Sequence, residues 1–297
     1  MKDAKLNRRD FLAVGTGAAA ASLVGVKEAP AQGTEQEKRS RVVLIRDQAA
    51  LDQDGQPDEE ILHRMLNQAV AALMGEDESA AAWKRLFAPT DVVGIKSNEY
   101  GYLRTPLVLE KAIQTEVLNV GVKSSNVAVD DRGVRANPVF QRATALINTR
   151  PMRTHNWSGL GTCLKNQIMF VPRPQEYHGD ACATLGAIWH LPEVKGKVRL
   201  NILVLLTPLF HTTGPHSFSK EYVWPYRGLI VGTDPVAVDA TGARVIQARR
   251  NQFFGKESPI APPPHHIQVA DKRYGLGVSD PEKIDIVRLG WMEEALI

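Results

Sequence analysis

Cysteine is almost missing from this chain: its 297 residues hold two, Cys163 and Cys182. Two thiols exclude a four-cysteine zinc site, and they exclude an iron–sulfur cluster held by four cysteines of this chain. With 18 residues between them they fit one disulfide in an oxidising compartment or a pair of small buried thiols, and the residues leave both readings open. The nucleotide-phosphate loop GxxxxGK[ST] is also missing. Gly275-Leu276-Gly277 follows a helical pattern rather than a strand, so it lacks the setting of a dinucleotide-binding fingerprint. No GxSxG elbow is present, which removes the common α/β-hydrolase reading. No stretch reaches the ~20 apolar residues that span a bilayer. Ala13 to Val26 has 14, and Leu200 to Leu206 is strand-sized, so no stable membrane span is expected.

What the N-terminus does have is the layout of an export signal. Asn7-Arg8-Arg9-Asp10-Phe11-Leu12 is a twin-arginine pattern, the uncharged Gly/Ala-rich run follows, and Ala29-Pro30-Ala31 supplies a small-x-small cleavage site. Residues 1–31 therefore read as a signal for the twin-arginine translocase, cleaved after Ala31, and the mature protein as periplasmic. The signal holds five basic and three acidic residues, so its removal lowers the formal charge from +3 to +1. That is no nucleic-acid footprint. Residues 32–40 read as a linker, and 41–297 as a single domain.

Within that domain, strand and helix patterns alternate. Strands are expected at 41–46, 91–96, 126–130, 198–207, 229–232 and 285–289, from short runs rich in Val, Ile and Leu. Helices are expected at 58–75, 77–87, 106–120, 138–145, 182–190, 234–246 and 265–273. This order predicts an α/β fold with a mostly parallel central sheet flanked by helices and a ligand site at the carboxyl ends of the strands. The segment from Ala145 to Gln167 organises the rest. It begins as a buried strand, breaks at Pro151, presents Arg153-Thr154-His155, and passes Gly159 and Gly161 into a helix that opens Cys163-Leu164-Lys165-Asn166.

Four sets of residues are candidates for chemistry. Arg153, His155, Lys165 and Asn166 combine cations, an imidazole and an amide, which suit a carboxylate or phosphate and a proton transfer. Lys96, Asn98, Asp130 and Asp131 end neighbouring strands and converge on the same edge, although Asp130-Asp131-Arg132-Gly133 reads equally as a turn. His211 and His216, with His155 or His178, form a candidate imidazole metal site. Adjacent His265 and His266 read as surface or packing residues. In Gly232-Thr233-Asp234-Pro235-Val236-Ala237-Val238-Asp239, Asp234 reads as a helix cap. Asp239 lies inside that helix, where a buried carboxylate requires a partner.

Taken in order, Ile95-Lys96-Ser97-Asn98, Pro151-Met152-Arg153-Thr154-His155, Leu164-Lys165-Asn166, Gly214-Pro215, the Gly232–Asp239 stretch and Gly275-Leu276-Gly277 resemble the domain-of-unknown-function 362 family, over roughly Val42 to Leu289. The resemblance implies an α/β fold and a shared polar site, with no established reaction. Arg153 stands where that family usually carries lysine, so the positive charge is kept while a point ammonium becomes a planar fork. Some members carry an iron–sulfur module, for which this chain has no cysteines.

The expectation for function is an exported soluble protein that gathers Lys96, Asn98, Arg153, Asn166 and Asp239 as ligand-binding residues around a small anion. His155 and Lys165 would be its acid/base pair, and redox chemistry through an unidentified bound cofactor is a variant. The competing expectation is a non-catalytic periplasmic accessory that holds a metal or small ligand.

Overall fold

The computed structural model describes residues 39–212 and 217–297. The export signal and His216 lie outside the described residues, as does all of the expected linker except Arg39 and Ser40. Ser40 already opens the first strand. The eight strands are β1 (Ser40–Arg46), β2 (Val93–Lys96), β3 (Val127–Asp130), β4 (Ala145–His155), β5 (Gly159–Gly161), β6 (Val198–Leu209), β7 (Gly228–Gly232) and β8 (Ile284–Gly290). They form one sheet in the order β3-β2-β4-β6-β7-β1-β8, with β5 paired to β4. Pairs β3–β2, β2–β4, β4–β6 and β1–β8 are parallel, while β7 runs antiparallel between β6 and β1. The expected mixed α/β fold with a mostly parallel sheet is therefore present.

Helices α1 (Glu59–Met74), α2 (Ser79–Leu86) and α3 (Leu107–Asn119) are accompanied by α4 (Pro138–Gln141), α5 (Cys163–Asn166), α6 (Pro235–Phe254) and α7 (His265–Lys272). Side-chain alternation along the strands feeds two cores, one per sheet face. Val43, Ile45, Ile95, Ile147 and Ile202 share a cluster with Leu62, Leu66 and Ile113 of α1 and α3. Val42, Leu44, Leu146 and Leu203 share the other with Leu164, Val238 and Ile246 of α5 and α6. Caps set the helix starts. Asp58 accepts from the Ile61 amide at 2.8 Å, and Asp234 accepts from Val236 and Ala237 at 2.8 and 3.0 Å.

Several elements differ from the sequence expectation, among them α6, which runs on to Phe254. The strand that was to break at Pro151 continues to His155. Its neighbour β2 ends opposite Asn148, so beyond that point β4 has no ladder partner on the β2 side. A residue without an N–H is tolerated at such a position. The 138–145 helix is confined to Pro138–Gln141. The 182–190 helix is instead a 3-10 segment from Asp180 to His190 that opens with Asp180, Ala181 and Cys182 all at positive φ. Left-handed backbone at three non-glycine residues is costly, and nothing in the local sequence announces it. No described helix is long and apolar enough to cross a membrane.

Candidate functional site

The parallel strands deliver their carboxyl ends to one edge, and the polar residues collect there. Lys96 closes β2 and is fully buried. Its Nζ donates to Asp131 Oδ1 at 2.5 Å and to the Ser97 carbonyl at 2.7 Å. Burial pulls the Lys96 ammonium down to about 8, against the opposing pull of Asp131. For Asp131 burial acts upward, but Lys96 and the Glu99 amide, 3.0 Å away, outweigh it and hold the carboxyl below its ordinary value. The two acidic neighbours have separate jobs. Asp130 closes a turn by accepting from the Gly133 amide at 2.7 Å and from Asn137 Nδ2 at 2.9 Å.

Asn166, in α5, ties three segments together. Its Nδ2 lies 2.9 Å from Asn148 Oδ1, 3.1 Å from the Thr149 carbonyl and 3.2 Å from the carbonyls of Lys96 and Ser97. Its Oδ1 accepts from Asn98 Nδ2 at 3.2 Å. Asn98 Oδ1 in turn accepts from Arg153 Nη1 at 3.0 Å, and the Arg153 guanidinium lies over the Tyr100 ring, 4.7 Å from its centroid. Asp239 reaches the same region from behind. Fully buried in α6, it accepts from the Cys163 and Leu164 amides at 2.9 and 2.8 Å. It therefore holds the first turn of α5 and sets where Lys165 and Asn166 project. Burial raises its carboxyl to about 7, with Thr162 and the two amides opposing.

These elements border a cavity of about 260 Å³ whose lining includes Asn98, Arg150, Arg153, His155, Lys165 and Asn166. Arg150 is the member that the sequence reading missed. It is 4% exposed, and burial draws it down to about 10. Residues three apart in a strand face opposite sides under strict alternation. The register shift between Pro151 and Arg153 breaks that alternation, and both arginines line one cavity. Gly161 of β5 makes the room: a Cβ there would sit 2.8 Å from Arg150 Nη2. Among the described residues, no acceptor reaches Nε of Arg150 or Nε of Arg153.

Lys165 is 3% exposed, and its Nζ stands 3.5 Å from Cys182 Sγ. Burial, with help from Arg150 and Arg153, lowers the ammonium to about 8. Cys163 and Cys182 are both free and buried, and burial pushes both thiols up. His155 is driven far below the usual imidazole range by burial and then by Lys165, Arg150 and Arg153. It is neutral, and its Nδ1 accepts from the Trp157 amide at 3.3 Å, which leaves the ring proton on Nε2. His178, also on the cavity lining, stacks on Trp157 with centroids 4.1 Å apart, and burial followed by Lys165 lowers it to about 4.

Of the metal candidates, His178 shares the cavity lining with His155 and His211 does not. The His211 ring pairs its Nδ1 with Arg250 Nη1 at 2.8 Å and packs on Tyr222 and Phe254, away from the cavity lining. Among the described residues no group of three or more His, Cys, Asp or Glu is placed to hold a metal ion. His266 is buried, with Nε2 3.3 Å from Thr162 Oγ1.

The model of the family described as "Domain of unknown function (DUF362)" matches residues 108–244, and the chain is similar to that family over this span. The match contains Arg150, Arg153, His155, Lys165, Asn166 and Asp239, and it begins after Lys96 and Asn98. No curated protein and no solved structure matches the chain.

Proposed function

We propose that the protein binds a small oxyanion in the cavity between β4, α5 and the loop after β2. The supporting observation is a surplus of buried positive charge. Lys96 has Asp131, and this is the only ion pair that the site's cations make among the described residues. Asp239 spends both oxygens on backbone amides. Among the described residues no carboxylate forms an ion pair with Arg150, Arg153 or Lys165, and Asp131, on the same lining, acts on the two arginines only from a distance. A buried cation without a counter-charge costs several kcal/mol, and a phosphate, sulfate or carboxylate that accepts from open guanidinium edges would offset that cost.

Thermal unfolding of the full chain in rising sulfate, inorganic phosphate or acetate tests the reading. A saturable gain is expected with at least one of them, about 2.7 kcal/mol at a concentration 100-fold above Kd. Arg150→Gln should lose it. Absence of any saturable gain with all three anions would overturn the proposal.

A catalytic reading rests on one further observation. Burial lowers the Lys165 ammonium to about 8, whereas it drives His155 far below the usual imidazole range. If the site moves a proton, Lys165 is its acid/base group and His155 serves as a neutral donor through Nε2. The same proposal places the protein in the periplasm. Its support is Arg8-Arg9 and Ala29-Pro30-Ala31, and its mark is a mature chain starting at Gln32 in an intact-mass measurement.

A further inference from the structure

Arg150 and Pro151 are neighbours in β4, yet they line different cavities. Adjacent side chains of a strand point to opposite faces, so the cationic cavity has a counterpart on the other face of the sheet. This second cavity measures about 410 Å³. It opens where β2 has stopped opposite Asn148: the chain there leaves the sheet, and the loop before α3 and the first residues of α3 form the wall.

The floor is built from core side chains. Leu51, Val204 and Leu206 belong to the apolar cluster that packs α1 and α3 on the sheet, and Pro151 brings no N–H to it. The apolar surface continues to the mouth, where Tyr102 and Leu107 are 63% and 60% exposed. One face of the Tyr102 ring is taken by Phe218, with centroids 4.6 Å apart, so Leu107 is the more open of the two. The polar side chains of the lining, apart from the Tyr102 hydroxyl, are Gln56, Thr207 and Arg104. Arg104 is the one charged residue among the lining residues and is exposed, and among the described residues no carboxylate forms an ion pair with it. Glu110, buried and accepting from Ser97 Oγ, feels it only from a distance.

We infer that this second cavity binds an aliphatic carboxylate, with its chain along Leu51, Val204, Leu206 and Leu107 and its carboxylate on Arg104. A sugar or a peptide would lose most of its hydrogen bonds against these walls, whereas an alkyl chain has none to lose. A cationic head would be repelled by Arg104, and a carboxylate matches its guanidinium fork. The inference goes beyond the oxyanion reading and does not depend on it.

Isothermal titration calorimetry of the full chain with hexanoate, octanoate and octyltrimethylammonium tests it. Octanoate should bind at one molecule per chain and at least fivefold more tightly than hexanoate, since each fully buried methylene is worth about fourfold. It should also bind at least fivefold more tightly than the ammonium of the same chain length. Arg104→Gln should weaken octanoate at least threefold and bring it within twofold of the ammonium, while the dependence on chain length stays. Leu107→Ser, at an exposed position outside the core, should weaken octanoate at least threefold. Equal affinity for hexanoate and octanoate, equal affinity for octanoate and the ammonium, or unchanged octanoate affinity in either variant would overturn the inference. Loss of octanoate binding in Arg150→Gln and not in Arg104→Gln would place the carboxylate in the cationic cavity, which overturns this inference and supports the oxyanion reading. Absence of saturable octanoate binding would overturn it as well, and sulfate binding would still decide the oxyanion reading separately.

Discussion

Lys165 concentrates the chemistry of the site in one side chain. Its ammonium is buried beside a thiol and shares the cavity lining with Arg150, Arg153, Arg132, Asp131, Tyr100 and the neutral His155 and His178. Burial, aided by Arg150 and Arg153, outweighs the opposing pull of Cys182 and lowers the ammonium from its ordinary value of 10.5 to about 8. A bound anion reverses the balance, because it is attracted to the protonated form. Affinity for sulfate, whose own charge does not change over this range, should therefore weaken as pH rises through 8, by about tenfold between pH 7 and 9. Calorimetric titration with sulfate at fixed ionic strength checks this. Lys165→Met should lower the affinity at pH 7 and remove most of the pH dependence, and any remainder belongs to Lys96, which also titrates near 8.

At the scale of the element, α5 is four residues long and supplies little stability of its own. It is held from outside: Asp239 caps its first amides, and Asn166 is bonded to both β2 and β4. Asp239→Asn places an NH2 group against one of the two amide donors. A stability loss of about 1–3 kcal/mol is expected in chemical denaturation, with sulfate affinity falling because Lys165 and Asn166 lose their fixed starting point. Unchanged affinity in a folded Asp239→Asn protein would show that α5 positions itself. This element also shows what the sequence makes legible. Strands and long helices announce themselves through local runs and caps, and Lys96, Arg153, His155, Lys165 and Asn166 follow because they sit beside those runs. Arg150 escaped because its face depends on a register shift between two strands, and the passage of β4 through Pro151 depends on where β2 stops. The extension of α6 to Phe254 had a signal, Gly255 at φ +64, a left-handed helix stop. Its last turns lack an apolar stripe because Arg250 is buried there on the carbonyls of Phe210, Ser258 and Pro259. The role of Asp239 was half legible: a carboxylate amid Val, Ala and Thr required a partner, but the partner lies 76 residues away in sequence.

Across the whole molecule, the two apolar cores stabilise the sheet from both faces while its carboxyl edge carries charges that oppose folding. Lys96 and Lys165 have folded-state pKa values below their unfolded ones. Their contribution to stability is complete above about 10.5 and is lost as pH falls through about 8. Asp239 has a raised folded-state value, so its contribution is complete below about 4 and is lost as pH rises through about 7. Together these groups weaken the anion-free fold most between about pH 7 and 8. Lys165→Met keeps the length of the chain and removes one uncompensated charge. At pH 7.5 and without added anion, it should raise the unfolding free energy by about 1–3 kcal/mol and flatten part of the wild-type rise between pH 8 and 10. In saturating sulfate the order should reverse, because wild-type protein gains the binding free energy and the variant does not. Urea denaturation of both proteins, with and without sulfate, measures all four values. A variant less stable than wild type without anion would mean that the Lys165 ammonium already has its counter-charge within the fold, and the reason for an anion in this cavity would be gone.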